Sequence, residues 1–372
     1  MVPIRILIVD DSVVVRKIVS DTLKSDPAFE VVGTAGDGRI ALKRINNLQP
    51  DVVILDVAMP VMGGLETLAQ LRKDHPKLNV IMFSTLTGRG ASETLEALTL
   101  GASDYVTKPT DTGSLALTVA ALRNDLVPKI KSLCGVSPRP SAGLVVRRPP
   151  AYAHPRKRVD IVAIGASTGG PNALAQVVPH LPADFPVPVV IVQHMPAVFT
   201  GLLAERLARQ AAFPVAEGTL GAVLGPGNAW IAPGNFHMTV MASRFAAGTN
   251  WRLGLNQDAP ENSCRPAVDV LFRSVAAVCG PHVLGVVMTG MGADGTRGAG
   301  SIREAGGEVI VQDEATSVVW GMPGSVFAAG QADAVYPLEQ LAAEITRRVR
   351  RGRAARATAA SSSSSKLESA LP

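Results

Sequence analysis

Short apolar runs alternate with amphipathic stretches along the first third of this chain. Residues 4–9, 31–34, 52–55, 80–83 and 104–106 read as strands, while residues 13–23, 38–48, 64–73, 92–100 and 115–122 repeat their apolar positions at helical spacing. Five β/α units in this order predict a doubly wound sheet of five parallel strands. The pattern returns further on: apolar runs at 159–164, 187–193, 229–232 and 283–288 predict a second doubly wound, mostly parallel α/β domain.

Composition places the joints. A chain of 372 residues with 47% hydrophobic content is long enough for two cores and too apolar to be disordered. Between residues 125 and 158 stand six prolines, with no sustained periodicity after about residue 133. That stretch reads as an extended linker. The expected division is a first domain at 1–124, a Pro/Arg-rich linker at 125–156, a second domain at 157–350 and an Arg/Ala/Ser-rich disordered tail at 351–372.

Charge follows the same joints. Residues 1–124 carry 13 basic against 14 acidic groups and residues 159–345 carry 8 against 15, the latter without a lysine. The net +5 therefore comes from residues 125–158, with 8 against 1, and from 346–372, with 7 against 1. An acidic second domain is a poor partner for nucleic acid. Apolar runs fall short of a membrane span, and the first strand runs directly into two aspartates, unlike a cleavable signal. The expected setting is the cytoplasm, without membrane insertion. Three scattered cysteines, Cys134, Cys264 and Cys279, suit a reducing compartment, and no pair of histidines has zinc-site spacing.

Ligands of doubly wound sheets sit at the carboxyl ends of the strands. In the first domain those ends carry Asp10 and Asp11, then Asp56, then Ser84 and Thr85, then Lys108-Pro109. Converging carboxylates repel unless a cation lies among them, and magnesium suits an oxygen-only ligand set. Asp56, on the central strand, is placed to attack a phosphoryl group; Lys108 would balance the charge and Ser84 would supply a switching hydroxyl.

The second domain opens on Gly165-Ala-Ser-Thr-Gly-Gly170, between an apolar run and a helical segment. A serine among glycines at a strand-to-helix turn can be a lifted nucleophile, and such a turn can equally cradle a phosphate. A serine nucleophile needs a base. His194 ends an apolar strand at its carboxyl edge; His237 is second choice, behind a Pro-Gly turn. His75 falls in the first domain, His154 in the linker, and His180 and His282 beside prolines at segment ends. Asp294, in Thr289-Gly-Met-Gly-Ala-Asp-Gly295 just after another apolar strand, reaches the same sheet edge and is the expected orienting carboxylate. The order Ser, His, Asp sets the chain apart from α/β-hydrolases.

Two resemblances follow from these residues. The first 122 residues or so resemble the receiver domain of two-component response regulators, a flavodoxin-like fold. That resemblance implies Mg²⁺ held by Asp10, Asp11, Asp56 and the Ala58 carbonyl, phosphorylation of Asp56, and a cis Lys108–Pro109 bond. Receiver, linker, the Gly165–Gly170 motif, Gln193-His-Met-Pro196, Ile231-Ala-Pro-Gly234, Arg265-Pro-x-Val-Asp269, Thr289–Gly295 and Gly321-Met-Pro323 stand in the order of the chemotaxis methylesterases, the CheB family. Over residues 1 to about 345 the resemblance implies hydrolysis of glutamate methyl esters, and deamidation of glutamines, on chemoreceptor cytoplasmic helices. It implies a chemotaxis histidine kinase as phosphodonor and no cofactor in the second domain. Ser167, His194 and Asp294 would form the triad, with backbone N–H groups near Thr168 and Met291 as oxyanion donors. Ala58 and Gly63 stand where many family members carry acidic residues.

Two other functions compete. A nucleotide-binding second domain would need an acidic ribose ligand ~20 residues beyond the glycine turn. Only Asp184 is available there, in a proline-flanked loop, and no Gly-Lys-Ser/Thr occurs. A non-catalytic DNA-binding regulator using the basic tail is opposed by the acidic second domain.

Overall fold

The computed structural model describes residues 2–109, 114–135, 158–242, 251–351 and 353, in two compact units, 1–142 and 143–372. Most of the expected linker and tail lie outside the described residues.

In the first unit, strands β1 (Ile4–Val9), β2 (Phe29–Ala35), β3 (Val52–Asp56), β4 (Asn79–Ser84) and β5 (Asp104–Thr107) alternate with helices α1 (Val13–Lys24), α2 (Gly38–Leu48), α3 (Gly64–Asp74), α4 (Gly88–Thr99) and α5 (Leu115–Leu133). The strands pair in parallel in the order β2-β1-β3-β4-β5, as expected. Helices cover both faces, so β3 is buried along its whole length. The order reverses between β1 and β3, which puts the ligand crevice over Asp10 and Asp56.

Two helices depart from the sequence expectation. Helix α4 starts at Gly88 and not at residue 92, because the Thr87 side chain accepts the Gly90 N–H and caps it through two glycines. Helix α5 continues past residue 122 to Leu133, through Pro128. Leu122, Leu126 and Ile130 recur every fourth position on the core of this unit, and their burial offsets the hydrogen bond that Pro128 removes. The Lys108–Pro109 bond is not cis; among the described residues the cis bond is Arg265–Pro266. Trans is the favoured isomer unless packing forces the other, and Lys108 meets both of its carboxylate partners without it.

The second unit continues as β6 (Ile161–Ala166), α6 (Gly170–Val177), β7 (Val189–Gln193), α7 (Ala197–Gln210), β8 (Val215–Glu217), β9 (Val223–Leu224), β10 (Ala229–Ile231), β11 (His237–Ala242), β12 (Trp251–Asn256), α8 (Val268–Cys279), β13 (Val283–Val287), α9 (Thr296–Glu304), β14 (Glu308–Gln312), α10 (Gly321–Ala328), β15 (Ala334–Tyr336) and α11 (Leu338–Arg350). Seven strands form one parallel sheet in the order β15-β14-β13-β6-β7-β10-β8, and β11, β12 and β9 form a small antiparallel sheet. After β6 the chain builds outward through β7, then returns to the other flank of β6 with β13. The carboxyl ends of β13, β6 and β7 therefore surround a topological switch point, where an open α/β sheet offers its crevice.

Candidate active site

Ser167, His194 and Asp294 issue from those three adjacent strand ends. Ala166 pairs with Gln193 across β6 and β7, and the His194 N–H donates to the Ala166 carbonyl at 3.1 Å. The serine is held through its backbone. Its N–H donates to the Thr289 carbonyl at 3.0 Å, and its own carbonyl accepts from Gln193 Nε2 at 2.9 Å and from the Gly170 N–H at 2.7 Å. Gly169 takes the left-handed φ of 76° that starts α6. A Cβ on Gly290 would come within 2.8 Å of the Ser167 Cβ, so the β13 loop can approach the serine only as glycine.

Asp294 is 2% exposed and accepts five hydrogen bonds. Oδ2 takes His194 Nε2 at 2.8 Å and the Val268 N–H at 2.6 Å; Oδ1 takes the Asp269 N–H at 3.0 Å, the Gly295 N–H at 2.9 Å and Asn262 Nδ2 at 2.7 Å. Val268 and Asp269 open α8, so the carboxylate also caps that helix and lies in its positive field. Burial would raise the Asp294 pKa, but the hydrogen bond from His194 and the helix N–H groups outweigh it and hold the carboxyl low.

With Nε2 on Asp294, the other imidazole nitrogen of His194 is left for chemistry. Cys264 Sγ lies 3.5 Å from that Nδ1. Burial opposes protonation of the ring, yet the hydrogen bonds to Asp294 and Cys264 push its pKa from the ordinary 6.5 up to about 10. The Ser167 hydroxyl makes no hydrogen bond to His194, although the two residues leave neighbouring strands.

The other described histidines have structural partners. His237, the second choice for the base, is buried with Nε2 on the Ala259 carbonyl and Nδ1 accepting the Ala267 N–H. His180 bonds the Gln176 carbonyl, His282 the Arg158 carbonyl and His75 the Asn46 side chain; His154 lies outside the described residues. Thr168 is buried, its carbonyl accepting from Thr289 Oγ1 at 2.9 Å, and the Met291 N–H has no hydrogen-bond partner among the described residues. Asp184, the acid that a nucleotide site would require, is instead paired with Arg350 on α11 at 2.8 Å.

Three residues close to this site escaped sequence reasoning as site residues: Asn262, Cys264 and Asp269. The Asn-Ser pair at 262–263 carried a turn signal, and both residues take left-handed φ, 52° and 62°.

The first unit gathers its own cluster. Carboxylate oxygens of Asp10, Asp11 and Asp56 lie within 4.8 Å of one another, and Lys108 Nζ sits 2.8 Å from both Asp10 Oδ2 and Asp56 Oδ2. Burial raises the Asp56 pKa and Asp10 adds to it, with Lys108 opposing. Burial works against the Lys108 charge too, but its two carboxylate partners prevail and raise its pKa. Three crowded carboxylates against one ammonium leave excess negative charge in a partly buried pocket, and this fits a hard divalent cation. Ser84 is buried beside them, its hydroxyl donating to the Gly90 carbonyl at 3.1 Å, and its carbonyl accepts the Lys108 N–H at 2.6 Å. No helix among the described residues is long and apolar enough to cross a membrane.

Comparison with known proteins recognises both units. Residues 162–345 match the family model described as CheB methylesterase, and residues 6–120 match that of the response regulator receiver domain. The chain is 52% identical to a protein-glutamate methylesterase/protein-glutamine glutaminase of Trichodesmium erythraeum, over 93% of this chain and 99% of that one. It is 50% identical to a protein of the same description from a Nocardioides species, over 94% and 96%. The Thermotoga maritima CheB methylesterase catalytic domain is 40% identical over 51% of this chain and 99% of that one, with a TM-score of 0.49. With a receiver-type unit followed by a methylesterase-type unit across nearly its full length, the chain belongs to the CheB methylesterase family.

Proposed function

We propose that this protein is a serine hydrolase that cleaves glutamate methyl esters on the cytoplasmic helices of chemoreceptors, releasing methanol, and deamidates glutamines there, releasing ammonia. The observation that carries this reading is the meeting of Ser167, His194 and Asp294 at three adjacent strand ends, with His194 bonded to Asp294 at 2.8 Å. Ser167 Oγ attacks the ester carbonyl and gives its proton to His194 Nδ1, which passes it to the departing methoxide. Water then cleaves the acyl-serine by the same route in reverse. Asp294 keeps Nε2 protonated and the ring in place. The N–H groups of Thr168 and Met291 receive the oxyanion. Substrate seats the Ser167 hydroxyl on His194, since such contacts commonly tighten only in the bound complex. Release of methanol from a methylated receptor fragment, and of ammonia from one carrying glutamine, tests the reading.

Phosphorylation of Asp56 by a chemotaxis histidine kinase supplies the control. Asp10, Asp11, Asp56 and the Ala58 carbonyl would hold Mg²⁺, which when bound neutralises phosphoryl charge. Lys108 and Ser84 contact the added phosphoryl group and relay its presence to the surface of the receiver. The receiver runs through α5 to Leu133, so the linker expected from residue 125 begins after it; the catalytic domain is 157–350 and the tail 351–372, with the proline-rich stretch letting the receiver cover or clear the catalytic edge. The protein works in the cytoplasm, with no nucleic-acid partner. A fragment of residues 157–350 is expected to outpace the unphosphorylated whole protein, and Asp56→Ala to hold the whole protein at its basal rate under any phosphodonor. A fragment no faster than the whole would refute steric inhibition and leave recruitment to receptors as the role of phosphorylation.

A further inference from the structure

Residues 261–265 bend across the His194–Asp294 pair. Glu261 and Cys264 exchange backbone hydrogen bonds at 3.1 and 2.9 Å, and both residues between them, Asn262 and Ser263, take left-handed φ. Asn262 Nδ2 donates to Asp294 Oδ1 at 2.7 Å and to Asp269 Oδ2 at 3.0 Å, so one carboxamide spans two carboxylates. Cys264 approaches the opposite end of the pair, 3.5 Å from His194 Nδ1. The segment is tied down from outside. Glu261 pairs with Arg273 of α8 at 2.5 Å and with Arg297 of α9 at 3.0 Å, and Arg297 Nε also reaches Asp269 at 3.3 Å.

We infer that Asn262 and Cys264 are positioning residues for the esterase reaction, gripping the two ends of the His194–Asp294 pair from a single latched turn. The inference rests on the proposed triad. Asn262 draws negative charge away from Oδ1 and fixes the carboxylate plane, so Oδ2 meets Nε2 squarely. Cys264 holds the ring from the Nδ1 side and favours its protonated form, the direction in which it acts on His194. The other charged groups facing the pair are Asp269 and Arg273 from α8, Arg297 from α9 and Glu261 from the turn itself; changing Cys264 leaves them as they are, and changing Asn262 removes its bonds with Asp269 and Arg297 but leaves the Arg297–Asp269 pair. Because the neutral ring is the base, activity rises as pH climbs through the His194 pKa.

Two substitutions on the full chain separate the roles. Asn262→Gly removes the carboxamide and keeps the left-handed backbone without strain. Its kcat is expected to fall about tenfold with KM changed less than about threefold. The acid limb of its kcat profile should move to higher pH by about half a unit, since an Asp294 with one donor fewer holds the His194 proton more tightly. Cys264→Ala should move the limb the other way, to lower pH. Ring ¹⁵N shifts of His194, assigned with His194→Gln, report both displacements without turnover, so they read this inference even if Ser167 proves not to be the nucleophile. That reading fails separately, if Ser167→Ala still releases methanol. Opposite displacements support the grip. An Asn262→Gly enzyme with wild-type kcat, or limbs that stay put or shift together, would overturn it. Should Asn262→Gly not fold, Asn262→Ser, too short to span both carboxylates, gives the same test.

Discussion

Ser167→Ala is expected to lower methanol release by about 10⁴-fold or more, the usual consequence of removing the nucleophile from a triad. The fold should be unaffected. Ser167 is held by its backbone N–H and carbonyl, and those bonds survive the change. Alanine also keeps the Cβ that fits against Gly290. Circular dichroism and the melting temperature should therefore match the wild type while product disappears. Retention of more than about a tenth of wild-type methanol release would reject the triad, because oxyanion stabilisation and binding alone leave far less. His194→Ala belongs with it, the proton then having no acceptor.

Asp294→Asn should cost about 10³-fold or more in kcat, and unlike the serine change it should also cost stability. Five donors converge on Asp294: His194, Asn262 and the N–H groups of Val268, Asp269 and Gly295. An asparagine offers one acceptor oxygen and an NH₂ group. Turned one way, the NH₂ faces His194 Nε2 and the Val268 N–H; turned the other, it faces Asn262 and the Asp269 and Gly295 N–H groups. Either way buried donors lose their partner, at about 1–3 kcal/mol each. A variant within tenfold of wild type and equally stable in urea would show that neither the tautomer nor the helix cap depends on the carboxylate.

Much of this was legible in the sequence because period and strand ends are local signals. The apolar runs placed all five strands of the receiver, and placed Ser167, His194 and Asp294 on the same edge of the second sheet. What escaped depends on contacts between distant segments. The linker was expected to start at residue 125, yet Leu126 and Ile130 continue a face that only the packed core reveals. Asn262 and Cys264 sit in an irregular turn, where no periodicity marks a residue as facing the site. Asp269 entered only as the end of the Arg265-Pro-x-Val-Asp269 motif, with no role attached. Its carboxylate accepts the Gly298 N–H at 2.7 Å, tying α8 to the start of α9. The cis bond expected at Lys108–Pro109 was carried by resemblance alone, and the backbone there does not adopt it.

Ser167 and His194 directly follow β6 and β7, and Asp294 stands in the loop after β13; these three strands are fully buried and paired with one another. The spacing of Ser167 and His194 is therefore set by the sheet ladder, and that of Asp294 by the buried start of α8, parts of a domain that open only on global unfolding. Heat should not detune such an enzyme gradually. Its loss of activity on warming should coincide with its cooperative melting, and the slowest-exchanging amides should lie directly beneath the serine.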